Sequence, residues 1–218
     1  MEEKTEGITL KTIPYSEKNR ILTVFTKEFG LISIFVKNSD VKKNLSLTSP
    51  FCRGEFVIKR KSQMASFLDG TIFDCYLKLR ESQSAIENGY SLAKIILKTQ
   101  PFPRKSGGIY ALFKSYLDHV FLKNGSSLIC SFQLKVLLYE GLLNPQSLSD
   151  FTDSEKETIS SLALERSFNR LNDIMVDEKL RVKIMREEGL EPSQDCSHYH
   201  LKVARLPISP SSQKEKLL

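Results

Sequence analysis

The chain has no tryptophan, three histidines and four cysteines in 218 residues, and no apolar run approaches the roughly 20 residues needed to span a bilayer. A membrane-spanning protein is therefore not expected, and the opening Met1-Glu2-Glu3-Lys4 carries the wrong charge for a secretory signal, which points to the cytoplasm. Cys52, Cys75, Cys130 and Cys196 are scattered, with no pair at metal-clip spacing and no density of a disulfide framework. They are expected as separate reduced thiols. Cys196-x-His198-x-His200 offers three ligands in five residues but no fourth at a known spacing, so no zinc or other cofactor is expected. The chain also lacks a Gly-x-x-x-x-Gly-Lys-Ser/Thr phosphate loop, a Gly-x-Ser-x-Gly elbow and a His-Glu-x-x-His pair. No catalytic residue is assigned, and the lone His119, set in a core-like helix, reads as structural.

What is present is an ordinary globular balance, 40% hydrophobic and 27% charged, which excludes disorder as the main state. The length suits two small domains. In the first third, Gly7–Ile13, Arg20–Lys27, Leu31–Lys37, Glu55–Lys61 and Ser66–Phe73 alternate and are rich in β-branched and aromatic residues. Glu28-Phe29-Gly30 makes a turn between the second and third of these strands, and Asn38–Ser49 reads as a polar connection. Five short strands suit a small closed barrel, because closure removes exposed edges.

Beyond Tyr76 the period lengthens to that of a helix. Ile86, Tyr90, Ala93 and Leu97 recur at i, i+4, i+7 and i+11. A second helix carries Ile109, Leu112, Phe113, Tyr116, Val120 and Phe121, and a third runs from about Ser127 to Glu140 before Gly141 and Pro145. Thr152-Asp153-Ser154-Glu155 has capping-box spacing and opens a helix with Ile159, Leu162 and Ala163; another follows near Asp177–Glu188. The expected organisation is α+β: a barrel over residues 1–76, helices over 77–205, and a Pro-, Ser- and Lys-containing tail over 206–218 expected to be disordered.

The charge is unevenly spread. Between Lys11 and Lys61 stand eleven basic residues against four acidic ones, while the rest of the chain is near neutral. Lys11, Lys18, Arg20, Lys27, Lys37, Lys42, Lys43, Arg53, Lys59, Arg60 and Lys61 are therefore candidates for contacting phosphates, and Phe35, on the same strand face as Lys37, for stacking on a base. So large a local excess exceeds what solubility requires, since like charges repel. Three rivals remain: an RNA-binding or ribosome-associated adaptor, a scaffold joining repair proteins, and an enzyme with an unrecognised site.

The motifs also carry a resemblance. Gly7-Ile8-x-Leu10-Lys11-Thr12-x-Pro14-Tyr15-x-Glu17, followed by Ile21-Leu22-Thr23-Val24-Phe25-Thr26-x-Glu28-x-Gly30-x-Ile32-Ser33, resembles the start of the bacterial RecO recombination-mediator family. Phe132-x-Leu134-Lys135-x-Leu137-Leu138-x-x-Gly141-x-x-x-Pro145 is similar to that family's helical segment. The resemblance implies an OB-fold barrel followed by an α-helical domain. It further implies binding of single- and double-stranded DNA, strand annealing, recognition of the acidic tail of single-stranded-DNA-binding protein, and cooperation with RecR in loading RecA. An acidic peptide with an aromatic end would need an apolar groove rimmed by cations, for which Lys114, Lys123 and Lys135 are the candidates. Two departures stand out. Asp40 interrupts the basic loop after Lys37, and Gln146–Asp150 lacks the four-cysteine zinc cluster that many members carry there.

Overall fold

The computed structural model describes residues 2–16, 19–60, 64–121, 124–141 and 151–187. Five strands come first: β1 (Glu2–Pro14), β2 (Arg20–Thr26), β3 (Gly30–Val36), β4 (Arg53–Lys59) and β5 (Ala65–Asp74). They close in the order β1-β2-β3-β5-β4, with β3 and β5 parallel and the other pairs antiparallel, which is an OB-type barrel. Alternation decides which side chains fill it. Leu22, Val24, Ile32, Ile34, Val36, Phe56, Ile58 and Phe67 point inward and are buried together.

The segment expected to be a polar connection instead plugs one barrel end. It holds α1 (Asn38–Lys43), and Val41 and Leu47 join the barrel core. Thr9 donates its hydroxyl proton to the Leu47 carbonyl at 2.8 Å, and Thr12 donates to that of Thr48, so polar side chains inside the barrel are satisfied by the plug. Nothing in Asn38–Ser49 has enough apolar periodicity to announce this, because only two residues point inward.

A 3₁₀ turn (Leu77–Glu81) leads into the helices α2 (Gln83–Thr99), α3 (Gly107–Leu117), α4 (Gly125–Glu140), α5 (Asp153–Leu164), α6 (Phe168–Asp173) and α7 (Glu178–Glu187). Helix α4 is buried on nearly every side and touches α2, α3, α5, α6 and α7, as expected of a helix apolar all round. Asn124 caps its start, and Gly141, at φ 69°, ends it in the left-handed conformation glycine favours. The Thr152/Glu155 capping box forms as its spacing requires. In α2 the buried face is Ala85, Gly89, Leu92, Ala93, Ile95 and Ile96, rotated from the expected stripe, and it leaves Tyr90 half exposed. Gly89 accounts for the rotation, because any side chain there would collide with Leu79, so the 3₁₀ turn docks against glycine.

Barrel and helices share one core. Ile8, Leu10, Phe25, Leu31, Phe51 and Tyr76 pack with the helical residues rather than inside the barrel. Phe25 meets Tyr110 and Phe113 at ring distances of 5.8 and 6.0 Å, and Phe51 meets Tyr90 at 4.9 Å. At the same seam Arg53 donates to Glu6 at 2.9 Å and Tyr110 donates to the same carboxylate at 3.1 Å. Burial alone would raise the Glu6 carboxyl, but these two hydrogen bonds and the Arg53 charge hold it below the ordinary carboxylate range.

One cysteine expectation is corrected here. Cys52 and Cys75, 23 residues apart, are joined in a disulfide, because Arg53 pairs with Asp74 across β4 and β5 and the cysteines are the next residues out. Scatter along the chain did not mean separation in space. Cys130 is a free, buried thiol that burial pushes up to about 12.

Two stability tests follow from the seam. A Cβ on Gly30, at φ 68°, would lie 1.9 Å from the Arg104 carbonyl oxygen, so Gly30→Ala is expected to cost at least about 2 kcal/mol in urea unfolding; a loss below half that would show that the β2–β3 turn is not pinned to the helical domain. Because the Glu6 carboxyl titrates below 4.5 when folded, its contribution is present above that pH and drains away as pH falls through the lower, folded value. Glu6→Gln should lose about 1–3 kcal/mol at neutral pH, and the wild type should converge on it in acid. Parallel profiles for the two proteins would contradict the pairing.

Candidate nucleic-acid interface

The outer face of β1, β2 and β3 carries the exposed surface best suited to a polynucleotide. A bulge between Thr9 and Lys11 shifts the phase of β1, so that Lys11 and Ile13 turn outward after it. Register then lines up Lys11, Thr23 and Ser33 in one row across the three strands, and Ile13, Ile21 and Phe35 in the next, with Ser66 of β5 beside Phe35. Tyr15, just past the end of β1 and 63% exposed, sets its ring at right angles to Phe35 with centroids 5.7 Å apart. The exposed Lys37, two residues beyond Phe35 on the same strand face, flanks this end of the sheet, whereas Arg20, opposite Val36 at the start of β2, is in phase with the interior residues Leu22 and Val24 and stands half-buried at the barrel mouth. Two accessible rings and an isoleucine thus lie beside two cations, Lys11 and Lys37, the combination that accepts a base on a ring and a phosphate on an ammonium. Tyr15 was not among the sequence candidates; its signal was the i, i+2, i+4 series Lys11, Ile13, Tyr15 before the break at the turn.

The other candidate cations fall elsewhere. Lys27 sits beyond the far end of β2, on the helical side: its amide bonds to the Glu6 carbonyl and its own carbonyl lies against Gly107. The strand between Arg20 and Lys27 spans on the order of 20 Å. Arg53 is half-buried in its pair with Glu6, its guanidinium 5.6 Å from the Phe73 ring centroid. Arg60 pairs with Glu3 at 3.6 Å and lies over the Phe29 ring, while Lys59 stands exposed on β4 opposite Glu2. The single strip expected from Lys11 to Lys61 is therefore not one surface. The acids Glu2, Glu3 and Glu6 precede the basic stretch in sequence but lie across from β4 in space. Lys18 and Lys61 lie outside the described residues, as do the side chains of Lys42 and Lys43, whose backbone belongs to α1.

The three helical cations do not make a common rim either. Lys114 is half-buried on α3, near enough to the seam for its charge to act on Glu6 and Asp118. Lys123 lies outside the described residues. Lys135 is turned into the bundle, where it donates to the Tyr116 hydroxyl at 2.9 Å and to the Glu165 carbonyl. Tyr116 in turn shares a 2.8 Å bond with Ser131, which donates to the Leu162 carbonyl. Burial pushes the Lys135 ammonium down, the Glu165 carboxylate pulls it back, and burial raises the Tyr116 phenol to about 12. Lys135 is a strut between α4 and α5. His119 packs as expected, stacked on Phe168 at 3.8 Å. Among the described residues no group of three or more His, Cys, Asp or Glu is placed to hold a metal, and Cys196, His198 and His200 fall outside them. No helix of the described residues is long and apolar enough to cross a membrane.

Known proteins match both halves of this arrangement to different extents. Residues 1–76 match the family model described as Recombination protein O N terminal. Over 145 residues the chain is 30% identical to the DNA repair protein RecO of Caldicellulosiruptor bescii, covering 63% of this chain and 58% of that one. It is 28% identical over 145 residues to that of Clostridium novyi (63% and 56%), and 31% over 83 residues to that of Bacillus cytotoxicus (37% and 34%). The matches thus span a little over half the length of the first two and about a third of the last. The N-terminal barrel is thus similar to the N-terminal region of Recombination protein O, and the likeness to the DNA repair proteins RecO runs on into the helices.

Proposed function

We propose that this protein is a DNA-repair and homologous-recombination mediator. It binds single- and double-stranded DNA, anneals complementary strands, and helps to load RecA onto DNA coated by single-stranded-DNA-binding protein. The observation that carries this reading is the outer face of β1–β3, where Tyr15, Phe35 and Ile13 lie exposed or half exposed beside Lys11 and Lys37, with Arg20 half-buried at the barrel mouth at the same end. Each ammonium or guanidinium laid on a phosphate releases counterions and offsets the repulsion between two approaching strands, and none of it depends on sequence. Stacking on a ring adds roughly 1–3 kcal/mol per base and selects unpaired strands. Lys18, Lys42 and Lys43 lie next to these residues in the chain and would extend the path. Charge and stacking suffice for annealing, so the proposal contains no covalent step.

Residues 1–76 act in this reading as the nucleic-acid-binding domain and 77–205 as the domain that meets RecR and the acidic tail of the coating protein, at the nucleoid. The relatives' name, DNA repair protein RecO, supports the same assignment.

Titration of labelled single-stranded DNA over a range of salt tests the face directly. Affinity should fall with a log–log slope of about −0.7 per phosphate neutralised. Replacing Lys11, Arg20 and Lys37 together by Glu should lower affinity by at least about tenfold at low salt and flatten that slope, while Phe35→Ala should cost roughly 1–3 kcal/mol with the slope kept. Lys98→Glu, on the exposed side of α2, should change neither. Full affinity in the triple variant would remove the assignment, and an RNA competitor that displaces DNA at equal concentration would favour an RNA-binding role.

A further inference from the structure

On the helical side of the barrel, a cleft of about 390 Å³ opens between the end of β5, the 3₁₀ turn and the last turn of α3. Its walls are apolar and open: Leu77 is 65% exposed and Phe121 52%. Its polar side chains are two carboxylates, Asp74 and Asp118, the Tyr76 phenol and the Lys78 ammonium, which is drawn over the Phe121 ring. Asp118 makes no ion pair with a described residue, although it sits at the C-terminal cap of α3, where the helix dipole already presents negative charge. Burial raises its carboxyl, and the charges of Lys114, His119 and Arg53 only partly offset that. Asp74 spends one oxygen on the Tyr76 amide at 2.8 Å.

Tyr76 supplies an independent sign. Its residue is 7% exposed, its hydroxyl is buried without a hydrogen-bond partner, and the charges acting on that hydroxyl are those of Asp118, Arg53, Asp74 and Glu6, three acids against one cation. Buried hydroxyls ordinarily find a partner, and leaving one unmet costs about 1–3 kcal/mol. The backbone of Tyr76 is also held at φ 42°, in the left-handed region, where a non-glycine residue is strained.

We propose that this cleft receives an arginine side chain presented by a protein partner, with the guanidinium shared among Asp74, Asp118 and the Tyr76 hydroxyl and the stem lying between Leu77 and Phe121. A planar guanidinium has five donors in a fork and suits several separate acceptors better than an ammonium does. Phe121 already takes a cation, the Lys78 ammonium, 5.7 Å from its ring centroid. A peptide is favoured over a small guanidinium compound because the cleft is open and its exposed Leu77 and Phe121 offer apolar surface for flanking side chains of a chain. Two carboxylates against one lysine disfavour a phosphate backbone, and no residue of the cleft belongs to the face proposed for DNA.

The test uses the whole protein and a fluorescein-labelled peptide, Gly-Leu-Arg-Leu-Gly, beside versions with citrulline or lysine in place of arginine. Anisotropy should saturate with the arginine peptide and show at least tenfold weaker binding with citrulline. Asp118→Asn and Asp74→Asn should each weaken the arginine peptide at least fivefold, with an unlowered melting temperature for Asp118→Asn and unchanged DNA affinity. Tyr76→Phe should weaken it about threefold. Equal binding of arginine and citrulline peptides, no binding at millimolar peptide, or full binding by Asp118→Asn would overturn the proposal. Free arginine binding as tightly as the peptide would instead mark a small-molecule site, and concentration-dependent dimerisation abolished by Asp118→Asn would make the occupant a second copy of the chain; either replaces the partner proposed here.

Discussion

The bulge in β1 between Thr9 and Lys11 is the constraint on which the arrangement of surfaces rests. A strand presents alternate residues to alternate faces, so one inserted residue reverses which side chains point outward without breaking the strand. Before the bulge the outward residues are Lys4, Glu6 and Ile8, which meet β4 and the helices; after it they are Lys11 and Ile13, which meet only β2 and solvent. Leu10, the extra residue, stays buried in the core shared with the helices. A single thirteen-residue strand thereby serves a domain seam with one half and an open face with the other.

The seam is held by contacts that local preference would not select. Phe51 and Tyr76 both adopt left-handed backbone conformations, at φ 60° and 42°, and the Cys52–Cys75 disulfide lies between them. Each such residue costs on the order of 1–3 kcal/mol. Both are buried in the helical core, where burying an aromatic side chain returns a comparable amount. The chain turns sharply on entering β4 and on leaving β5, and in both places the turn aims a ring out of the barrel and into the helices. The Glu6–Arg53–Tyr110 cluster fills the polar remainder of that boundary, although the Arg53 Nε is left without a partner. Because Arg53 serves the seam, it is withdrawn from the open surface, whatever its place in the sequence.

Much of the fold was legible because periodicity reports burial. The five strands, the helix from about residue 127 to Glu140 with its glycine stop, and the box at Thr152 and Glu155 rest on patterns a few residues long whose physical cause is local. What stayed hidden depends on neighbours distant in sequence. Glu2–Glu6 forms a strand by pairing with β4, where Lys59 stands opposite Glu2 and Arg53 reaches diagonally to Glu6; by composition it looks like a charged terminus. Lys135 sits one turn from residues of the bundle core, yet only the folded packing shows its ammonium turned toward Tyr116 and Glu165 instead of water. The rotation of α2 comes from Leu79 pressing on Gly89, a contact between two elements that no window along α2 contains.

The electrostatics obey the same logic. A count of charge along the sequence found an excess between Lys11 and Lys61, but attraction acts across space, and the acids of β1 sit beside the cations of β4. Pairing there leaves the uncompensated positive charge to the sheet formed by β1, β2 and β3, where Lys11 and Lys37 on the outer face, and Arg20 at the barrel mouth, make no ion pair with a described residue. With a Debye length of about 8 Å at physiological salt, paired charges on one side of a barrel are nearly silent on the other. The net charge of +6 therefore understates how polarised the surface is, with cations around exposed rings on one face and unpaired carboxylates around an apolar cleft on another.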